Sequence, residues 1–432
     1  MNRVFSYLKD LKGNAKVCIV FHPLWSIPYA IYTFYLGLYL QLQGISDTQL
    51  GMLMMVGNIV GIVASFASAP IVDRLGRRNT TLIFDLISSA LPPAIYLFTA
   101  SFGWAMAAMV ATNLNRIMSI GYYLTMIEDS SDETRVVALN MFNLITVAAG
   151  LLVPLAGIII AAIGLIRGQR LFLAISAVSM TILAIARHLL LKETSTGIQV
   201  RKQIHAMRKF STTTKNRFID GLLNNFAVYP QAFAFLREHP EAARAMRTNV
   251  LFYTYYVVGT SISLYFTPYF SRHLQLSASE VSIVGGLYAG GTLVALLFLN
   301  PLYNNHNSAK FFSIAAFISL LGFGMLASSP VNSLWFTLPA VVFIAVGFGM
   351  MRTATDANFA SETSGVIRSG LYALSYVLSA LLSIVVLWLC AQLYSQFPPW
   401  LFILSGILIL GIFIDQFVKA MGKQKVETTT IV

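Results

Sequence analysis

Long apolar runs, each closed by a few polar or charged residues, repeat along the whole chain. Twelve of them reach membrane-crossing length, near 17–41, 48–72, 80–100, 104–127, 136–163, 170–191, 249–270, 280–299, 311–328, 334–357, 369–392 and 398–418. A helix needs roughly 20 apolar residues to cross the hydrocarbon core. Only helices and closed barrels satisfy their own backbone there. The runs are continuous rather than alternating over about ten residues, which excludes a barrel. The pattern predicts an all-α polytopic membrane protein with twelve transmembrane helices, called segments 1 to 12 in chain order.

The polar interruptions carry a second pattern. Between segments 2 and 3 lies the charged run Asp73-Arg74-Leu75-Gly76-Arg77-Arg78-Asn79, and a faded copy, Asn304-Asn305-His306-Asn307-Ser308-Ala309-Lys310, lies 231 positions later. At that offset Ser46 falls on Ser277 and Pro70 on Pro301; at 233, Asp129 falls on Glu362 and Arg135 on Arg368. The chain therefore reads as two six-helix bundles repeated in parallel about an axis along the membrane normal. The predicted organisation is a first bundle over 1–191, a basic linker over 192–247, and a second bundle with a short basic tail over 248–432. In the linker, Phe218, Ile219, Leu222, Leu223 and Phe226 recur at helical spacing, broken by Asp220, Asn224 and Asn225. An interfacial amphipathic helix and a plain tether between bundles both fit that stretch.

Composition agrees: 57% of residues are hydrophobic and 11% charged, against about 25% charged in soluble domains. The net charge of +12 points to topology once it is located. Arg3, Lys9, Lys12, Lys16, Arg74, Arg77, Arg78, Arg135, Lys310, Arg368, Lys419, Lys423, Lys425 and the linker share one side, while Arg167, Arg170 and Arg272 fall on the other. The positive-inside rule puts both termini in the cytoplasm of a plasma or inner membrane. The basic excess then reads as contact with anionic membrane lipids rather than nucleic acid. The first run is too long for a signal-peptide core and should remain as segment 1. Cys18 and Cys390 lie in apolar segments, so no disulfide framework, metal site or cofactor is expected. No nucleophile–base constellation appears at depth, so the chain does not read as an enzyme. No phosphate-binding G-x-x-x-x-G-K-[ST] motif appears, so any work must draw on a gradient.

The charged run resembles the signature of the major facilitator superfamily between helices 2 and 3, G-x-x-x-D-R-x-G-R-R. Asp73, Arg74, Gly76, Arg77 and Arg78 match, and Ala69 stands in for the first glycine. Glu128/Asp129 with Arg135, and Glu362 with Arg368, are similar to the superfamily's helix 4–5 and 10–11 connections. The resemblance implies the two-bundle fold of that superfamily, with helices 1, 4, 7 and 10 around a central cavity. It also implies that Asp73 meets the N-terminus of helix 11, near Ser369, when the cytoplasmic side closes. An anion there is favoured by roughly 0.3–1 kcal/mol. Asp73, Arg74, Gly76, Arg77, Arg78, Asp129, Arg135, Glu362 and Arg368 would then form a conformational latch. Solvated anchors that fix topology are the plainer reading.

Ionisable side chains inside a membrane are costly and mark function by default. Arg116 lies midway along segment 4, and Arg352 and Asp356 in segment 10. Asp85, Arg187, His22 and Asp415 lie near enough to segment ends for snorkelling or pairing to explain them. Four stripes follow the i, i+3/i+4 rule of one helix face: His22, Trp25, Tyr29, Tyr32 and Tyr39; Thr112, Arg116, Ser119 and Tyr123; Tyr256, Thr260, Ser263 and Thr267; Gly349, Arg352, Asp356 and Phe359. The aromatic stripe fits a wet cavity or simple bundle packing. Segment 4 offers no carboxylate to Arg116, and a bidentate anion would relieve a guanidinium there; a structural hub is the alternative. Asp356 has Arg352 at i−4, so it reads as a proton carrier or as half of a static pair.

The predicted function is secondary active transport, by alternating access, of a small polar and anionic organic solute coupled to protons. Arg116, Tyr29, Tyr32, Trp25, Ser119, Tyr123, Tyr256, Thr260 and Arg352 are the expected binding residues, with Asp356 and Arg352 for proton coupling in a monomer. A proton-coupled multidrug antiporter of the same fold is the main rival. Gly150, Pro154 and Gly157 loosely match the antiporter helix-5 pattern, but Gly121 lies five residues after Arg116 rather than four. A lipid flippase and a transporter-like sensor complete the alternatives.

Overall fold

The computed structural model describes residues 11–98, 101–130, 132–209, 230, 232–260, 263–303, 308–362 and 368–429. Every regular element among the described residues is helical. Twelve helical stretches follow the twelve predicted segments: α1 (Gly13–Leu42), α2 (Asp47–Leu75), α3 (Arg77–Phe98), α4 (102–127), α5 (132–163), α6 (Leu165–Leu190), α7 (Pro240–Gly259), α8 (Ala278–Leu299), α9 (Ser308–Ala327), α10 (Leu334–Glu362), α11 (Arg368–Leu393) and α12 (Trp400–Thr429). Among the described residues, ten are long and apolar enough to cross a membrane. The two that fall short are α4, which is broken, and α7, whose first turns carry Glu241, Arg244 and Arg247. One further helix, Ser195–Lys209, opens the linker. The predicted linker helix over 218–226 and most of the echo at 304–307 lie outside the described residues.

The interruptions have local chemical causes. Pro23 follows His22 and has no N–H to continue the ladder, so α1 divides into Gly13–Phe21 and Pro23–Leu42. In α4 the Asn113 amide binds the Met109 carbonyl at 2.9 Å, and the Leu114 N–H falls back to the Ala111 carbonyl at 3.1 Å. The helix restarts at Asn115. In α3 Pro92 and Pro93 withhold two N–H groups, and the preceding turn, Leu86–Ala90, is a π-helix. Such bulges absorb a missing backbone bond and recur at functional positions.

The chain forms two compact units. The first comprises Met1–Tyr32, Val56–Ala149 and Ile166–Ala227; the second comprises Thr33–Met55, Gly150–Leu165 and Val228–Val432. The first unit is centred on Cys18, Met118, Tyr122, Met126, Met141 and Leu191. In the second, Ala232, Ala245, Met246, Phe359, Leu371 and Leu374 pack together. This unit also gathers one end of α1, α2 and α5 by close approach of small residues. A Cβ at Gly37 would overlap the Leu264 carbonyl, and one at Gly157 would overlap Ser282. Two phenols clamp the same packing: Tyr265 donates to the Asp47 carbonyl at 2.7 Å and Tyr35 to that of Ala278 at 3.2 Å. Phe98, Leu189, Phe298 and Trp335 stay largely exposed, as a hydrocarbon solvent permits.

Candidate functional site

A cavity of about 380 Å³ lies inside the first unit. Its wall takes His22 and Trp25 from α1, Asp85 from α3, Asn115, Ser119, Tyr122 and Tyr123 from α4, Phe142 and Asn143 from α5, and Arg187 from α6. The break at Leu114 leaves Asn115 at the start of a new helix, where its side chain accepts from Ser119 at 2.7 Å. Aromatic rings line the α1 side. Trp25 stacks on Tyr29 with centroids 4.6 Å apart, and Tyr29 meets Tyr32 edge-on at 5.7 Å. His22 sits between Trp25 and Phe142, with centroids 5.5 and 4.3 Å away, and its Nε2 pairs with the Thr146 hydroxyl at 2.8 Å.

Of the predicted binding residues, Trp25, Ser119 and Tyr123 line this cavity. Tyr29 adjoins it through the stack. Arg116 is exposed on the same face of α4 as Ser119 and Tyr123. Tyr32 is packed away, its carbonyl holding the Gln169 amide at 2.7 Å. Thr260 is likewise buried, its hydroxyl turned back on the Tyr256 carbonyl at 2.6 Å.

At the base of the cavity Arg187 pairs with Asp85, both almost completely buried. The Arg187 guanidinium also lies over the Tyr122 ring, 4.6 Å from its centroid, and the Tyr122 hydroxyl donates to the Cys18 carbonyl at 3.2 Å. Sequence reasoning put Asp85, Arg187 and His22 near the interface and left Asp85 and Arg187 out of the site, and beyond that it gave His22 only as the first residue of the segment 1 stripe. The pairing it allowed is present, but the pair faces a cavity. An acid in segment 3 and a base in segment 6 were the available signal.

The second unit holds Arg352 and Asp356. Asp356 is exposed and accepts from the Tyr253 hydroxyl at 2.7 Å. Arg352 lies over the Tyr256 ring, 5.7 Å from its centroid. Among the described residues no ion pair joins Arg352 to Asp356, although the i, i+4 spacing predicts one. Two tyrosines from α7 take up the two charges instead.

The charged turn is built into the first unit. Arg77 is buried between Asp73 at 3.1 Å and Glu128, which it meets through Nη2 at 3.1 Å and Nε at 3.2 Å. Glu193, from the start of the linker, accepts the backbone N–H groups of Arg77 at 3.0 Å and Arg78 at 3.3 Å. A carboxylate thus caps α3 from outside its own sequence, where the helix dipole favours an anion. Gly76 at φ +85° makes the turn possible, and a Cβ there would strike Glu193. Asp129 accepts from the Ser195 N–H at 3.2 Å and its hydroxyl at 2.5 Å. Arg78 binds the His188 carbonyl at 2.8 Å. Arg74 is exposed, and Glu362 half-buried at the end of α10. The side chains of Arg135 and Arg368 lie outside the described residues.

A search of curated protein sequences finds no match. Solved structures do match over almost the whole chain. A POT family transporter in complex with 5-aminolevulinic acid aligns at TM-score 0.68 and 12% identity, covering 95% of this chain and 96% of that one. The nucleoside transporter NupG aligns at 0.67 and 13%, covering 94% and 99%. The inward open xylose transporter XylE from E. coli aligns at 0.64 and 15%, covering 95% of each. At these identities the likeness establishes the fold. The family model described as MFS_1 like family matches residues 29–383. The chain belongs to that family and is a multi-pass membrane protein with the fold of major facilitator superfamily transporters.

Proposed function

We propose that this protein is a secondary active transporter that moves a small polar organic solute by alternating access between its two six-helix bundles. It sits in a plasma or inner membrane with both termini cytoplasmic. The observation that carries the reading is the cavity in the first unit. Asn115, Ser119 and Asn143 border an opening of about 380 Å³ inside a membrane-embedded helical unit. Polar groups facing an empty apolar space are costly, so such a wall fits water and a hydrogen-bonding solute. Trp25 and Tyr123 add flat faces of the kind that pack against a solute ring or chain. The related folds are named for xylose, a nucleoside and 5-aminolevulinic acid, all small and polar, which supports the same class here.

An anionic group on the solute is favoured by Arg116, which shares an exposed helix face with Ser119 and Tyr123. Protons are the proposed coupling ion, with Asp356 and Arg352 as one carrier group, and the Asp73–Arg78 turn serves as the latch of the closed cytoplasmic state. A thermal-shift screen of the purified protein against sugars, sugar acids, carboxylates, phosphates and drugs tests the solute class. Bound ligand stabilises by RT ln(1 + [L]/Kd), so weak ligands register at high concentration. Acidic solutes should raise the melting temperature, and Arg116→Lys should lose that shift and lower flux into proteoliposomes by about tenfold or more, roughly 1.4 kcal/mol. Hits confined to hydrophobic drugs would favour the antiporter. Binding without flux would favour a sensor.

A further inference from the structure

The Asp85–Arg187 pair is built in a way that a static structural bridge does not require. Only Oδ2 of the acid and Nη2 of the base are engaged. Oδ1 of Asp85 and Nε of Arg187 are buried with no hydrogen-bond partner among the described residues. An ionised carboxylate accepts up to four hydrogen bonds, so Oδ1 of Asp85 is left for a proton or for cavity water. A proton on the carboxylate removes its charge. We propose that Asp85 is a proton-binding site of the first unit, with Arg187 as its counter-ion and Tyr122 as the seat that keeps Arg187 in place when the proton is bound.

Three further features support this assignment. Both side chains border the cavity, so water can deliver the proton. Arg187 has a second partner already in place in the Tyr122 ring, which is itself tethered to the Cys18 carbonyl. Loss of the ion pair would leave the guanidinium with this one contact and no counter-charge. The helix carrying Asp85 passes at once into the π-turn Leu86–Ala90, a backbone form frequent at functional sites.

The titratable and charged groups facing the pair are few. Arg187 comes from α6, Tyr122 from α4, and Cys18 and His22 from α1; the α5 side brings Phe142 and Asn143, neither of which titrates near neutral pH. His22 is committed to Thr146 and to its flanking rings. The proton balance is simple. One proton passes from cavity water to a carboxylate oxygen of Asp85, and the Asp85–Arg187 couple changes from net zero to net +1. That unbalanced guanidinium would then attract an anionic group in the cavity, so one proton would accompany one negative charge.

The coupling consequence rests on the transport reading, but proton binding itself needs no solute, and the test uses none. Infrared difference spectra of the reconstituted protein between alkaline and acidic buffer report the C=O stretch of carboxyl groups that gain a proton. Wild type should show a band from a buried acid. It should vanish in Asp85→Asn and remain in Asp356→Asn. Asp85→Asn with Arg187→Gln removes both charges and serves where the single variant does not fold. Asp85→Glu should move the band rather than abolish it. A buried-acid band that survives unshifted without Asp85, or its absence from wild type across the pH range of the folded protein, overturns the proposal. Neither result depends on solute flux, so the transport reading stands or falls separately.

Discussion

Each unit contains an arginine, an aspartate and a tyrosine ring lying over the guanidinium, yet the two sets are in opposite states. In the first unit Arg187 and Asp85 are buried and joined, and Tyr122 is held by its hydroxyl to backbone. In the second, Arg352 and Asp356 stand one helical turn apart without pairing; Asp356 is exposed, and Tyr253 and Tyr256 hold one charge each. Burial decides the difference. The enclosed Asp85 carboxylate keeps the nearest cation, whereas Asp356, on an open face of α10, takes a phenol from α7. Two similar residue sets can therefore serve as a closed and an open version of one charge couple.

The largest expected effect tests that contrast through stability. Asp85→Asn leaves Arg187 buried with the Tyr122 ring but no counter-charge, and breaking a buried pair from one side costs about 3–5 kcal/mol. Asp85→Asn with Arg187→Gln should recover most of it. Asp356→Asn loses one exposed hydrogen bond and should cost about 1 kcal/mol or less. Thermal unfolding in detergent at fixed pH ranks the three variants. Equal losses for the two aspartates would end the distinction between a buried and an exposed couple.

The sequence revealed one set better than the other, for reasons of geometry. Arg116, Ser119 and Tyr123 share one face because spacing of three and four places residues there, and that is a local property. Twelve segments were found because apolar length is a local property. Asp85 and Arg187 are 102 positions apart, and no local pattern says which helices meet. Glu193 capping α3 across 116 positions was invisible for the same reason. For Arg352 and Asp356 the spacing permits an i, i+4 contact, but it cannot show that α7 brings the Tyr253 hydroxyl to one and the Tyr256 ring to the other.

The next effect concerns the rings. Tyr122→Leu and Tyr256→Leu each remove a cation–π contact, at 4.6 and 5.7 Å from centroid to guanidinium. Such contacts contribute about 2 kcal/mol when desolvated and about 0.5–1 kcal/mol when exposed. Tyr122→Leu also frees the Cys18 carbonyl, so it should destabilise the protein more, by about twofold or greater. Pairing each change with glutamine at the facing arginine separates ring contact from lost packing. A larger coupling at Tyr256 than at Tyr122 would reverse the assignment of the closed and open couples.

The smallest effect is the sharpest on the open couple. Tyr253→Phe keeps the ring and removes only the hydroxyl that Asp356 accepts. One hydrogen bond is lost, so stability should change by about 1 kcal/mol or less. The arginine should respond, however. With its competitor gone, Asp356 is a carboxylate four residues from Arg352 on one helix face, and an exposed pair at that spacing is worth about 0.3–0.5 kcal/mol. A double-mutant cycle between positions 352 and 356 should therefore show a coupling larger by about that amount in the Tyr253→Phe background than in wild type. An equal coupling in both would mean that the backbone of α10 itself keeps the charges apart. The tyrosines would then be bystanders to the opening and not its cause.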